Sequence, residues 1–142
     1  MKRIFLLISA LAAFALQSCD TEKFIGFGDL PDNAATFIQT YFPSADVISV
    51  MKEYDDLSYT YDVVLSDGTK IEFKRSGEWK DIEARTSKVP DSVVPAKILT
   101  YVQSSYEANY IVGISRDIRI DVELDNHFEL VFDLSGNYLG VD

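Results

Sequence analysis

Carboxylate side chains recur at alternate positions near the C-terminus of this 142-residue chain. Alternation of polar with apolar residues predicts two neighbouring β-strands, and it would place these carboxylates together on the polar face of the sheet. Like charges that face each other across two strands destabilise a sheet by up to about 1 kcal/mol. A calcium ion or a basic partner would relieve this repulsion, but solvation of an outward acidic face would do so as well. The residues of this predicted acidic face are Asp121, Glu123, Glu129 and Asp133.

The corresponding strands in the first half of the chain carry both signs of charge on the same face. Lys70 and Lys74 accompany Asp62 and Glu72 there. This mixture predicts ordinary ion pairs between neighbouring strands rather than a binding site.

A second candidate site lies in the stretch KEYDDLSYTY, which we predict to form a long hairpin in the first half of the chain. The stretch has neither the glycine nor the ligand spacing of a calcium loop. Tyrosines next to carboxylates are suited to recognition of another protein, although an ordinary extended hairpin would have the same pattern. The predicted partner-binding residues are Tyr54, Asp55, Asp56, Leu57 and Tyr59.

Side chains that carry out enzymatic chemistry are sparse in this sequence. His127 is the only histidine and falls at a predicted turn, and Cys19 is the only cysteine. A nucleophile–base pair or a zinc site needs several such side chains close together. We therefore predict that the protein is not an enzyme, uses no cofactor and has no dedicated metal ligands.

The N-terminus has the layout of an export signal. Residues 1–3 are a short basic start, and the apolar run at 4–16 is too short for a membrane-spanning helix, which needs about 20 residues. Leu16-Gln17-Ser18-Cys19 is similar to a bacterial lipobox, in which the signal is cut before a cysteine that receives the lipid. We predict a signal peptide at 1–18 and a lipidated tether at 19–29. The protein would then be anchored in the bacterial envelope, periplasmic or surface-exposed, unless Cys19 only happens to lie near an ordinary cleavage site.

Net charge narrows the range of partners. The whole chain carries −10, and loss of Lys2 and Arg3 with the signal would leave 11 basic against 23 acidic residues, a net charge of −12. Such a surface repels nucleic acid and anionic membranes. We expect a monomer that contacts the membrane only through its lipid and whose partner is a protein.

The sequence repeats itself once. Residues 61–79 (YDVVLSDGTKIEFKRSGEW) align with residues 120–138 (IDVELDNHFELVFDLSGNY), 59 positions later. Each copy follows a stretch in which apolar residues have helical spacing, and each contains alternating stretches typical of strands. We predict an α+β fold of two tandem repeats, 30–84 and 89–142. Each repeat would have one helix and about four antiparallel strands, and the two would join into one continuous antiparallel sheet with the helices on one face.

Local features of the repeats can be predicted as well. Asp67-Gly68 predicts a two-residue hairpin turn with positive φ at both residues, and Asn126-His127 takes its place in the second copy. Several aromatic residues have core-facing spacings and are predicted to be buried, namely Phe37, Tyr41, Phe73, Phe128 and Phe132.

A Leu-Pro helix start, an aromatic-rich helix closed by Phe-Pro, and the stretch YDVVLSDGTKIEFKRSGEW together resemble the PepSY-like domains that are similar to β-lactamase inhibitory protein. The resemblance covers 30–84 and 89–142. It implies tandem helix-plus-sheet units with a concave sheet face and a role in binding, which includes inhibition of an exported hydrolase or protease. The inhibitor's disulfides have no counterpart here, because Cys19 is the only cysteine. The alternative is a periplasmic sensor of calcium or a cationic ligand that acts through the acidic face.

Overall fold

A computed structural model describes residues 21–55 and 57–142 of the chain. The predicted signal peptide, Cys19 and Asp56 lie outside the described residues. The elements, in chain order, are β1 (Glu22–Ile25), a 3-10 turn (Phe27–Asp29), α1 (Asp32–Tyr41), β2 (Val47–Asp55), β3 (Ser58–Leu65), β4 (Lys70–Lys74), β5 (Trp79–Glu83), α2 (Ala96–Ser105), β6 (Ile111–Arg116), β7 (Ile120–Leu124), β8 (Glu129–Phe132) and β9 (Tyr138–Val141). No helix of this part of the chain is long and apolar enough to span a membrane.

The strands form one nine-stranded sheet in which spatial order follows chain order from β1 to β9. Every neighbouring pair is antiparallel, including β5 and β6, where Ile82 lies opposite Ile114. The predicted α+β fold with two helices and one continuous antiparallel sheet is therefore confirmed.

The predicted tether is the one part of the domain organisation that the structure corrects. Residues 22–29 of the predicted tether form β1 and the 3-10 turn rather than a free linker. The pairing of β1 with β2 places Ile25 opposite Val50, so Ile25 packs against the core. The backbone of Thr21 also accepts a hydrogen bond from the Tyr54 amide at 2.7 Å.

The two helices begin and end where proline chemistry predicts. Pro31 precedes α1 with an extended backbone, and α1 ends at Tyr41, just before the Phe42-Pro43 pair. A residue before proline avoids helical torsions, and Phe42 accordingly leaves the helix at φ −128° and ψ 48°. Pro95 precedes α2 in the same way.

Both helices cover the same face of the sheet, which we call the helix side. Phe37 of α1 meets Phe73 edge-on at 5.8 Å between ring centroids, and Tyr101 of α2 meets Phe132 in the same way at 5.5 Å. The two ring pairs belong to a single core that runs through the whole sheet. No helix of residues 21–55 or 57–142 covers the opposite face of the sheet, and we call it the open face.

Phe128 departs from the predicted core. Its side chain is 49% exposed, and its ring lies against Tyr106 at 6.3 Å. Phe128 directly follows the β7–β8 turn, so it sits at the end of the sheet, where the core ends. The smaller Thr69 is the residue at this place in the β3–β4 hairpin, and Thr69 is buried.

The β3–β4 turn also differs from its prediction. The loop has three residues, closed by bonds from the Gly68 amide to Leu65 O at 3.0 Å and from the Leu65 amide to Thr69 O at 2.9 Å. Gly68 has φ 85°, as predicted. The prediction of positive φ at Asp67 is wrong, because His127 is the one non-glycine residue with positive φ in the described ranges. Three-residue hairpin loops need a left-handed residue only at their last position. His127, at φ 67°, occupies that position in the β7–β8 turn.

Substitutions at this left-handed position should change stability in opposite directions in the two hairpins. His127→Gly should raise the free energy of unfolding by about 0.5–1 kcal/mol, because glycine lacks the Cβ that strains left-handed backbone. Gly68→Ala should lower it by about 1 kcal/mol through strain alone, since the new Cβ would lie 3.9 Å from Thr86 Oγ1 and clash with nothing. Urea denaturation measures both changes, at a salt concentration high enough to screen the exposed 3.6 Å contact between His127 and Glu123. Changes of the same sign would contradict the assignment of strain to this position.

Candidate functional site

A row of carboxylates crosses the open face in the first half of the sheet. Asp62 of β3 lies directly opposite Glu72 of β4, and Glu72 lies directly opposite Asp81 of β5. The row continues through Ser115 of β6 to Asp121 of β7. The prediction of ordinary ion pairs on this face is therefore wrong for Asp62, whose cross-strand neighbour is acidic. Glu72 does pair with a lysine, but that lysine is Lys80 of β5 rather than Lys70 or Lys74.

A second row runs parallel to the first. Glu83 lies opposite Gly113, Gly113 opposite Glu123, and Glu123 opposite Glu129. Gly113 leaves room for its neighbour's side chain, because a Cβ built there would lie 3.3 Å from the Cβ of Glu123 and 3.5 Å from its Oε2. The row therefore brings three glutamates together across four strands.

Burial and mutual repulsion change the acidity of the first row. Burial raises the pKa of Asp62 to about 6, and the charges of Glu72 and Glu53 add to the effect. Burial likewise raises the pKa of Asp81 to about 6, with further contributions from Glu83 and Glu72. The Oδ1 atom of Asp62 is buried and has no hydrogen-bond partner in the described part of the protein.

Basic residues neutralise this face only in part. Lys80 Nζ lies 2.9 Å from Glu72 Oε1, and Arg85 lies 3.5 Å from Glu83 in a more exposed pair. Neither Asp62 nor Asp81 takes part in an ion pair with another described residue. Asp62 and Asp81, on either side of the paired Glu72, therefore carry negative charge that no ion pair among the described residues offsets.

The four residues of the predicted acidic face do not all lie together. Asp121, Glu123 and Glu129 lie on the open face. The structure places Asp133 instead in the turn after β8, where it accepts hydrogen bonds from the amides of Ser135 and Asn137 at 2.9 and 2.8 Å. These bonds, led by one from the Asn137 side chain, lower the pKa of Asp133. These bonds hold the Asp133 carboxylate in the turn rather than on the open face.

Three carboxylates at the β7–β9 end of the open face lie close enough together to share a cation. Ligand oxygens of Asp121, Glu129 and Asp142 lie within 4.8 Å of one another. Arg119 already occupies this charge cluster, with Nε 2.8 Å from Asp121 Oδ1 and a terminal nitrogen 2.6 Å from Asp142 Oδ2. A metal ion would therefore compete with a guanidinium group.

The hairpin predicted to recognise a partner forms the end of β2 and the start of β3. Tyr54 lies opposite Tyr59 with ring centroids 5.7 Å apart, and Asp55 lies opposite Ser58. Leu57 is 97% exposed at the tip. The structure thus brings Tyr54 and Tyr59 together on the helix side, while Asp55 faces the other way.

The family model described as "Putative beta-lactamase-inhibitor-like, PepSY-like" matches residues 59–139 of the chain. None of the curated proteins gives a match.

Three solved structures of Bacteroides proteins are similar to this chain over almost their whole length. A Bacteroides vulgatus protein described as a "putative periplasmic protein from DUF2874 family" is 36% identical, with a TM-score of 0.83, over 87% of this chain and 98% of that one. A Bacteroides thetaiotaomicron protein described as a "putative calcium-regulated periplasmic protein" is 33% identical, with a TM-score of 0.84 and the same coverage. A further Bacteroides vulgatus protein, described as of unknown function, is 29% identical, with a TM-score of 0.82, over 85% and 98% of the two chains.

Proposed function

This chain belongs to the PepSY-like family, and from that premise we propose that it is a non-enzymatic exported protein that binds a positively charged partner protein on the open face of its sheet. One observation carries the proposal, namely the direct opposition of Asp62, Glu72 and Asp81 across three strands. Like charges in such positions destabilise the free protein. A basic side chain of a partner that enters the row would remove that repulsion on binding.

The pKa values of the row support the same proposal. Near neutral pH, Asp62 and Asp81 are mostly charged but are close to accepting a proton. A nearby positive charge favours the charged form of a carboxyl group. Binding of a cationic partner should therefore lower the pKa of both residues and release a fraction of a proton, and calorimetry in buffers of different ionisation enthalpy would detect this release.

The size of the acidic surface indicates that its ligand is a protein rather than a small ion. The two rows extend from β3 to β8, which is about 24 Å at the usual spacing of strands. A specific protein interface buries about 800 Å² on each partner, a patch of similar width. Strands support this surface, so its carboxylates are held in a fixed array before a partner arrives.

The test is capture of partners from the native cell envelope with three versions of the protein. Wild type should capture a basic protein, and Asp62→Asn/Asp81→Asn should lose most of it. Asp32→Asn/Glu107→Gln, which removes the same charge from exposed residues away from the open face, should behave like wild type. Capture should also fall with rising salt. Equal recovery by all three proteins would overturn the proposal.

Export and lipid attachment complete the proposed function. We propose that residues 1–18 are a signal peptide and that Cys19 carries the lipid, as the lipobox-like sequence predicts. The three similar Bacteroides proteins, all described as periplasmic, support export. Cys19→Ala should abolish labelling by a palmitate analogue in the native host, and continued labelling would contradict the assignment.

We also propose that the chain arose as two tandem copies of one unit. α1 followed by β2–β5 has the same order of elements as α2 followed by β6–β9. The β2–β3 register shifts between Val47 and Ser49, and the β6–β7 register shifts between Ile111 and Gly113, 64 positions later. Because the acidic rows cross the β5–β6 junction, the binding surface would depend on both copies.

The family description suggests which partners to test first. We propose an exported hydrolase or protease as the class of partner, because the matching family model is described as inhibitor-like. Enzymes captured by wild type should be assayed with and without an excess of the protein. If the activity of a captured enzyme does not change, the protein binds that enzyme without inhibiting it, and the proposal of inhibition is wrong.

Calcium sensing is a second candidate, favoured by the three carboxylates at the β7–β9 end and by the description of one similar protein as calcium-regulated. Calcium at millimolar concentration should then raise the melting temperature. Glu129→Gln should remove this shift, and Arg119→Gln should enlarge it, because Arg119 is the competing cation. Absence of any shift in wild type and in Arg119→Gln would exclude this candidate.

A further inference from the structure

A pocket of the opposite charge lies on the helix side of the sheet, where β1, β2 and β3 meet. It encloses about 250 Å³ and is lined by Lys23, Ile25, Asp29, Lys52, Tyr54 and Tyr61. We call it the tyrosine pocket. It is on the other face of the sheet from the acidic rows, since Ile25 and Tyr61 both pack against the core.

Lys52 is fixed in this pocket by aromatic rings. Its Nζ atom lies 3.7 Å from the ring centroid of Tyr59 and 5.0 Å from that of Tyr54. Arg75 approaches Tyr59 as well, with Cζ 5.2 Å from the centroid. Cations over tyrosine faces are attracted by the ring quadrupole, so these contacts hold two positive groups at defined positions without neutralising them.

Positive charge is in excess in the tyrosine pocket. Lys23 lies directly opposite Lys52 in the β1–β2 register, an arrangement that destabilises the pair of strands. None of the ion pairs among the described residues includes Lys23, Lys52 or Arg75. Asp29 is the one carboxylate of the lining, and its Oδ2 accepts a hydrogen bond from the Gly26 amide at 2.9 Å.

One phenol group beside the pocket, that of Tyr59, reports the same positive environment. A hydrogen bond with Tyr61 and then the charges of Lys52 and Arg75 lower the pKa of Tyr59. In a chain whose net charge is −10, this concentration of unneutralised cations next to phenol donors is unexpected unless an anion enters.

We propose that the tyrosine pocket binds a small organic carboxylate. The ammonium groups of Lys23 and Lys52 and the phenol O–H groups are the donors that a carboxylate accepts. Ile25 and the ring of Tyr54 form an apolar wall against which the hydrocarbon part of the ligand packs. A volume of about 250 Å³ is below the range usual for drug-sized ligands, which matches an acid of one ring or one side chain.

The same carboxylate chemistry has two possible sources, a free organic acid and an acidic side chain of a peptide. The experiment therefore has three probes: benzoate, its uncharged analogue benzamide, and a short glutamate-containing peptide with blocked termini. Amide NMR shifts of the wild-type protein are followed during each titration. We expect saturable millimolar binding of at least one acid, with shifts at residues 23–25 and 52–54, and no binding of benzamide. Tighter binding of the peptide than of benzoate would identify a peptide as the source, and the reverse order a free acid.

Lysine variants test whether the acid binds in the tyrosine pocket. Lys52→Gln should weaken binding of the acid at least about tenfold, and Lys23→Gln, which leaves the contacts between Lys52 and the tyrosine rings untouched, should weaken it severalfold. Lys70→Gln on β4, whose side chain is on the open face, should bind as wild type does. The proposal is overturned if neither acid binds wild type, if benzamide binds as tightly as benzoate, or if both pocket variants bind like the Lys70 variant.

Discussion

Replacement of Phe73 by alanine should lower the free energy of unfolding by about 3–5 kcal/mol, and Phe132→Ala should have an effect of the same size. Both side chains are fully buried. Each is enclosed by a helix aromatic, Phe37 for Phe73 and Tyr101 for Phe132. Truncation therefore removes aromatic contacts and leaves a cavity that the surrounding strands cannot fill. Chemical denaturation measured by circular dichroism gives the change.

The same experiment tests whether the two halves unfold together. The buried residues form one cluster that continues across the β5–β6 pair, so we expect a single transition with an unchanged denaturant slope in both variants. Leu57→Ala, at the exposed hairpin tip, is the control and should change stability by less than about 0.5 kcal/mol. Two separate transitions, each sensitive to one phenylalanine, would show that the halves are independent folding units.

The parts of the fold that could be predicted are those in which a strand buries every second residue. Tyr61, Val63 and Leu65 are all buried, as their alternation with polar residues predicts. Strand β1 has only four residues, and its largest apolar side chain, Phe24, points outward and is 74% exposed. A pattern this short, with its largest apolar residue in solvent, does not distinguish a strand from a linker.

The acidic row is missed when a two-residue turn is assumed, because the row depends on strand register. A two-residue turn at Asp67-Gly68 would place Asp62 opposite Phe73, whereas the three-residue loop places it opposite Glu72. A shift of one residue moves side chains to the other face. The alternation itself contained the missing signal, because a two-residue turn would have paired the outward-facing Asp62 with the core-facing Phe73.

The acidic row should make the protein more stable at mildly acidic pH than at neutral pH. Asp62 and Asp81 have a pKa of about 6 in the folded protein, against an ordinary value of 3.8. The folded state therefore binds protons that the unfolded chain releases between pH 4 and 6, and stability falls as pH rises through this window. Below about pH 4 the opposite contribution of Asp125 and Asp133 begins, because the pKa of each is lowered by hydrogen bonds. The maximum should lie between about pH 4 and 5.

Asp62→Asn/Asp81→Asn should remove most of this dependence and stabilise the protein at pH 7. A shift of two pKa units corresponds to nearly 3 kcal/mol, but both side chains are only partly buried and solvent screens them, so we expect about 1 kcal/mol from each residue. Denaturation at pH 5 and pH 7 of wild type, the double variant and Asp32→Asn/Glu107→Gln measures the effect. Two results would contradict this account of repulsion between the carboxylates of the row. One is a wild type that is more stable at pH 7 than at pH 5, and the other is a double variant whose stability changes with pH as much as that of wild type. Loss of partner capture together with a gain in stability would mean that the carboxylates cost stability in the free protein and are required for binding, whereas loss of both would mean that they support the fold.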